Sequence, residues 1–255
     1  MANRLTDVAS IERYRHVALD EVGSTNTYAL EKARDGDPGL LWVTARRQTS
    51  GRGRRNRPWV SEPGNLYASL LLIDVAAEMS ALASLPLAAA LAVHDAVSAE
   101  FAWAPERVRI KWPNDILLDG KKLCGILLEG ETLADGRHAV VIGCGVNIVH
   151  KPDSPLYPTT TLAEAGVSID AEGLLARFMV AFAEVLALWD GGRGVAKVVS
   201  RWSEAIAGVG KPITANLPDR SVSGIFAGVE RDGRLRLRLE SGDDMLIASG
   251  DVFFS

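Results

Sequence analysis

Residues 47–59 read Arg-Gln-Thr-Ser-Gly-Arg-Gly-Arg-Arg-Asn-Arg-Pro-Trp and bring Arg47, Arg52, Arg54, Arg55 and Arg57 into one short stretch. A guanidinium is a planar fork of donors that matches the oxygens of phosphate or carboxylate in pairs. Gly51 and Gly53 give this stretch access to positive φ and let the backbone come close to a ligand. The whole chain carries a formal net charge of -4, so the positive charge here is concentrated. The pattern describes a loop that holds a small anion. It equally describes a solvated basic face, a nucleic-acid patch or a localisation signal, and the segment alone leaves these readings open.

Three further clusters could carry chemistry. In residues 111–125 (Lys-Trp-Pro-Asn-Asp-Ile-Leu-Leu-Asp-Gly-Lys-Lys-Leu-Cys-Gly), Lys111, Asp115 and Lys122 bracket one hairpin. A carboxylate beside lysines suits magnesium held jointly with substrate phosphates. Asn114 and Asp115 equally suit an ordinary turn, and Gly125 would admit close backbone approach. At residues 20–26 (Asp-Glu-Val-Gly-Ser-Thr-Asn), Ser24 and Thr25 open a helix. Its free N–H groups could bind an anion, or the two hydroxyls could simply cap it. In residues 142–147 (Ile-Gly-Cys-Gly-Val-Asn), two glycines precede the Asn147 amide, which fits either a ligand-facing strand end or a β-bulge.

The elements that must position these clusters follow from periodicity and turn residues. Helices are expected at 24–36, 80–101, 171–190 and 195–207, and strands at 40–46, 66–73, 108–112, 115–118, 122–131 and 138–149. The arginine stretch then lies in a long loop between two core strands, and such loops are usually functional or disordered. After Gly208-Val-Gly210 the composition changes to short strands at 213–217, 222–229, 235–239 and 245–248, separated by Pro-Asp, Asp-Gly and Gly-Asp turns. This reads as a small β-barrel or half-barrel appended to an α+β domain.

The chain has 255 residues, 47% hydrophobic and 24% charged, as expected for a globular protein with one large domain and one small one. Cys124 and Cys144, the two cysteines, lie in apolar runs without zinc-ligand spacing, which fits buried thiols in a reducing, cytoplasmic compartment. Residues 80–101 are apolar but interrupted by His94, Asp95 and Glu100, so a buried helix is expected and no membrane span. No Walker loop, Gly-x-Ser-x-Gly elbow or His-Glu-x-x-His motif is present.

Taken in order, Ser24-Thr-Asn26, Gln48-x-x-Gly-Arg-Gly-Arg-Arg55, Lys111-Trp-Pro-Asn-Asp115, Lys122-Leu-Cys-Gly125 and Gly143-x-Gly-x-Asn147 resemble the bacterial biotin protein ligases. Each motif is weak alone; five in order across the chain are specific. The resemblance implies a class II synthetase-like α+β fold, with a mixed β-sheet packed against helices in residues 1–208 and an SH3-like β domain in 209–255. It also implies an enzyme that converts biotin and ATP to biotinyl-5′-AMP and transfers biotin to a lysine of a biotin carboxyl carrier protein. By that likeness Ser24, Thr25, Asn26, Gln48, Arg52, Gly53, Arg54, Lys122 and Gly125 bind biotin. Arg52, Arg54, Arg55, Trp59, Lys111, Asn114, Asp115 and Asn147 bind ATP. Asp115 and Asn147 hold Mg2+, and Arg54, Lys122 and Lys111 are catalytic. With about 20 residues before Asp20 and no DNA-binding motif, no specific DNA binding is expected; a homodimer is allowed without a located interface. Asn56 stands where a third glycine is common, Thr214 where some relatives carry lysine, and the chain ends without their basic residue. The rival readings are a lipoate or octanoate ligase or transferase of the same superfamily and, in another class, a nucleic-acid module using the arginine loop. The acidic total charge and the absence of aromatic residues among the arginines count against the second.

Overall fold

Apolar residues at alternating positions build a seven-stranded mixed sheet from β1 (Arg15–Val22), β2 (Leu41–Gln48), β3 (Leu66–Ile73), β4 (Val108–Lys111), β5 (Asp115–Leu118), β6 (Lys121–Thr132) and β7 (His138–Val146). Their order is β1-β2-β3-β7-β6-β5-β4. β1 runs parallel to β2 and every other neighbouring pair is antiparallel. The computed structural model describes residues 10–152, 157–230 and 232–254.

β3 shows why the sheet lies between two layers. All of its residues are buried, and successive side chains point to opposite faces. Leu66, Ala68, Leu70 and Leu72 join the larger core, whereas Leu71 and Ile73 join a smaller one. The smaller core is completed by Ala29, Leu30 and Ala33 of helix α1 (Thr25–Arg34). The larger is filled from helices α2 (Leu85–Ser98), α3 (Ala171–Trp189) and α4 (Val195–Ala205).

The helix expected over 80–101 is divided into 3-10 turns at Met79–Ser84 and Ala99–Phe101 around α2. Pro86 lies in the first turn of α2, where a missing N–H costs little. Among the described residues the segment Met79–Phe101 is long and apolar enough to cross a membrane. Its Leu85, Ala89, Val93 and Val97 are fully buried, the burial of a core helix.

Residues after 210 form a second, antiparallel sheet: β8 (Pro212–Asn216), β9 (Ser221–Val229), β10 (Leu235–Arg238), β11 (Asp244–Ile247) and β12 (Asp251–Phe254), ordered β11-β10-β9-β8-β12. The sequence pattern omits β1 and β12. β1 is an edge strand with no fully buried residue, so its apolar alternation is weak. β12 pairs with β8 and carries Asp251 back toward the large domain.

Candidate active site

The arginine stretch forms a flap. Trp59 N donates to Gly51 O at 2.9 Å and Gly53 N to Arg57 O at 2.8 Å, with a single 3-10 turn, Arg54–Asn56, at the tip. The positive φ expected at Gly51 and Gly53 falls instead on Arg55 and Asn56, both at 55°. Asn tolerates this left-handed geometry better than most residues, which accounts for Asn56 in place of glycine. Gly51 serves close approach: a Cβ there would lie 2.6 Å from Trp59 O and 2.7 Å from Ser61 Oγ.

Beneath the flap lies a cleft enclosing about 990 Å³, its open mouth included. One end is polar. Thr25 N and Oγ1 both donate to Gln48 Oε1, at 2.9 and 3.0 Å. Ser24, although it precedes α1, makes no side-chain capping bond, so Gln48 of β2 caps the helix from outside. Ser69 Oγ lies 2.8 Å from Thr25 Oγ1 and 2.6 Å from Asn26 Oδ1. The buried amide and hydroxyls are thus held in one network, which is what removal from water requires.

The other end is cationic. Lys122 Nζ meets Asp115 at 2.8 Å. Burial pushes the Lys122 ammonium down, but Asp115, with help from Tyr157 and Cys124, outweighs it, and its pKa is raised. Lys111 is shifted the other way: burial, with the neighbouring Lys122 and Arg54 charges, outweighs Asp115 and Asp251 and lowers its pKa. Aromatic rings alternate with the two ammonium groups. Lys122 Nζ lies 5.8 Å from the Trp59 ring and 4.9 Å from Tyr157; Lys111 Nζ lies 5.9 Å from Tyr157 and 5.3 Å from Phe253. Ring faces stabilise such cations while water is excluded.

Trp59 rests on a floor of glycine. A Cβ on Gly145 would come within 2.6 Å of its ring, and one on Gly125 within 2.9 Å. Close approach at Gly125 was expected from a ligand; in the structure it is made by Trp59. Among the described residues Trp59 Nε1 is buried without a hydrogen-bond acceptor.

Ser24, Thr25, Asn26, Gln48, Arg52, Gly53, Arg54, Trp59, Lys111, Asp115, Lys122 and Gly125 all line this one cleft. The other three residues expected at the site, Asn114, Arg55 and Asn147, do not. Asn114 stands behind the wall, donating to Ile126 O at 2.6 Å and accepting from Arg54 Nη1 at 3.1 Å. Arg55 points away, donating to Asn216 O at 3.2 Å and pairing with Asp251 at 3.1 Å. Asn147 is buried and donates to Thr160 O at 3.2 Å, which ties down a neighbouring segment. It is not among the residues that line the cleft beside Asp115. Among the described residues no group of three or more His, Cys, Asp or Glu side chains could hold a metal ion. Both thiols are buried and free.

Sequence reading missed Asp251, Phe253, Tyr157 and Glu129. Asp251 accepts from three flap arginines: Arg54 at 3.2 Å, Arg55 at 3.1 Å and Arg57 at 2.9 Å. Nothing local marks these residues, because their partners are far away along the chain.

Residues 19–147 match the biotin/lipoate A/B protein ligase family, and residues 208–255 match the biotin protein ligase C-terminal domain. A biotin–[acetyl-CoA-carboxylase] ligase of Paracoccus denitrificans is 39% identical over 243 residues, covering 92% of this chain and 99% of that protein. The chain belongs to the biotin/lipoate A/B protein ligase family. Within the family, the bifunctional ligase/repressor BirA of Escherichia coli is 31% identical over 225 residues, 86% of this chain and 68% of BirA. Among solved structures, the biotin protein ligase from Aquifex aeolicus in complex with biotin and ATP matches with a TM-score of 0.78 and 26% identity, covering 94% of this chain and 99% of that one. The expected ligase architecture, a helix-packed mixed sheet with a small β domain, is the one observed.

Proposed function

We propose that this family member is an ATP-dependent biotin ligase. It forms biotinyl-5′-AMP and passes biotin to a lysine of a carrier domain in acetyl-CoA carboxylase or a related biotin-dependent carboxylase. The observation that carries this reading is the cleft itself, in which a fixed polar pocket meets paired ammonium and guanidinium groups under one flap. Its likeness to ligases named for that reaction supports it.

In the first step a carboxylate oxygen of biotin attacks the α-phosphorus of ATP, and the bond to pyrophosphate breaks. Both reactants are anions, so positive charge must meet them. Lys122, held charged by Asp115, would sit on the carboxylate and the acyl-phosphate oxygen that replaces it. Lys111 and Arg54 would meet the phosphates. Donors fixed before reaction are worth most where charge develops, and loss of one costs about 100- to 1,000-fold in kcat. Holding both reactants together supplies much of the remainder. In the second step the carrier lysine's neutral amine attacks the acyl carbon, AMP leaves, and the amine's proton goes to solvent. A closed flap keeps water from the mixed anhydride until then.

The donors fit magnesium held by a single protein carboxylate, Asp115, with the remaining ligands from phosphate and water. Bound there, the ion would neutralise phosphate charge. We assign the catalytic domain to 1–208 and the C-terminal domain to 209–255, and place the enzyme in the cytoplasm, where ATP and reduced thiols coexist.

Biotin-dependent exchange between ATP and pyrophosphate, followed by transfer of labelled biotin to a carrier domain, tests the reading. We expect both to proceed. A larger thermal shift with lipoate plus ATP than with biotin plus ATP would reassign the chain to its lipoyl relatives. Arg54→Ala should release its adenylate faster than wild type; an equal rate of release would remove that role from Arg54.

A further inference from the structure

Glu129 of β6 joins two parts of the cleft. Its Oε2 accepts from Asn26 Nδ2 at 2.8 Å. Its two oxygens also grip Arg52 of the flap, with Nη2 at 3.0 Å from each and Nε at 3.3 Å from Oε1. Arg52 Nη1 continues to Thr27 Oγ1 at 3.1 Å. One carboxylate therefore touches the start of α1 and the flap together.

Its effect on Asn26 follows from donor and acceptor counting. A carboxamide has an oxygen end and a nitrogen end of nearly equal size, and its neighbours decide which faces where. Leu127 O, 3.3 Å from Asn26 Nδ2, and the Glu129 carboxylate can only accept. They claim both N–H donors of the amide. Ser69 Oγ, a hydroxyl that can donate, meets Oδ1 at 2.6 Å. That oxygen sits over Gly143, in the cleft wall, where any Cβ would collide with it. What Asn26 leaves for a ligand is a lone pair of Oδ1.

We propose that Glu129 is a positioning and specificity-determining residue. By claiming the Asn26 amino group it presents an acceptor to the ligand, and by holding Arg52 it ties the flap to that same setting. This rests on the biotin-ligase reading above and extends it to a residue outside the motifs. The ligand class it selects is a ring bearing N–H donors, such as a cyclic urea. A dithiolane ring has no such donor, and seating it would leave the free lone pair of that buried oxygen without a donor, a penalty that makes polar pockets discriminating. In Glu129→Ala the Asn26 amide is free to turn, and Arg52 loses its carboxylate partner and keeps Thr27 Oγ1. In Glu129→Gln, volume is kept, but the new amide cannot accept from Asn26 without turning its own N–H donors toward Arg52.

The test is steady-state ATP–pyrophosphate exchange with biotin and with lipoate, for wild type, Glu129→Gln and Glu129→Ala. We expect the biotin KM to rise about 10- to 100-fold, as for loss of a hydrogen bond to a charged group. The ATP KM should rise far less, and the preference for biotin over lipoate in kcat/KM should narrow. A merely structural role would raise both KM values together and leave that preference unchanged, and this result overturns the proposal. If Glu129→Ala does not fold, the isosteric Gln variant decides: wild-type biotin KM and preference in that variant overturn the proposal too. Wild type without biotin-dependent exchange would overturn the functional reading and this inference with it. An active wild type with unaltered variants would overturn the inference alone.

Discussion

Lys111 and Lys122 share Tyr157 as a neighbour, yet their surroundings move them in opposite directions. Lys122 keeps its charge through Asp115 and is shifted up; Lys111, with burial dominant, is shifted down from 10.5. A lowered folded pKa means the folded protein holds the Lys111 charge at a cost. That cost is present at neutral pH and is relieved as pH rises through the folded pKa toward 10.5, so neutral-pH stability is the part given up. Two results are expected. Activity should fall on the alkaline side earlier than an ordinary lysine would dictate, and Lys111→Arg should move that limb upward, since guanidinium does not titrate there. Lys111→Met should be inactive yet at least as stable as wild type in urea unfolding at pH 7. A Met variant clearly less stable would show that Lys111 is not held at a cost. The sequence names both lysines, since they sit in motifs. It does not reveal that one is strained and the other secured, because Tyr157, Phe253 and Asp251 come from other parts of the chain.

Among elements, α1 and the flap were both legible, but their linkage was not. The capping residues Ser24 and Thr25 suggest a self-capped helix; the structure uses Gln48 of β2, 23 residues from Thr25, as acceptor. Gln48 Nε2 also donates to Ser61 Oγ at 3.0 Å, where the flap returns. Gln48→Ala should therefore cost about 1 kcal/mol, as loss of a helix cap does, and should also weaken biotin binding, measured by calorimetry. Destabilisation with unchanged biotin affinity would confine Gln48 to capping. The flap is the mobile candidate. It connects the cleft to a second domain through hydrogen bonds that ligands can replace, and protease cleavage within 47–59 should slow when biotin and ATP are added together. Gly51→Ala, with its methyl driven against Trp59 O and Ser61 Oγ, should cleave faster and lose that protection. Equal cleavage with and without ligands in wild type would mean the flap does not close on them. Helix α1, the helical core and the central strands were readable because burial imposes a clean period on them. Edge strand β1 was not, since only half-burial marks it.

For the whole molecule, the decisive contact joins residues 194 to 197 positions apart. Arg54 Nη2 donates to Gly250 O at 2.7 Å, Arg57 Nη2 donates to Asp251 at 2.9 Å, and Arg54 and Arg55 complete the cluster on that carboxylate. No period or motif encodes such a meeting; only the return of β12 along β8 creates it. The small domain, in which Thr214 bonds to Ser223 at 2.9 Å on an exposed face, thus reaches the cleft through its last strand, with Asp251, Val252 and Phe253 in the wall. One carboxylate cannot neutralise three guanidiniums, so the cluster keeps net positive charge while its position is fixed from the second domain. Asp251→Asn removes the anchor but little volume. The expected outcome is a higher KM for ATP and faster escape of adenylate, with the biotin affinity of the free enzyme nearly unchanged, because the polar pocket is built from other elements. The pairs are partly exposed, so their attraction is screened by salt. The difference between wild type and variant should therefore shrink between about 0.01 and 0.5 M salt. Equal adenylate retention in both proteins at low salt would mean that the C-terminal domain does not steady the flap, and that the arginines find their places from the large domain alone.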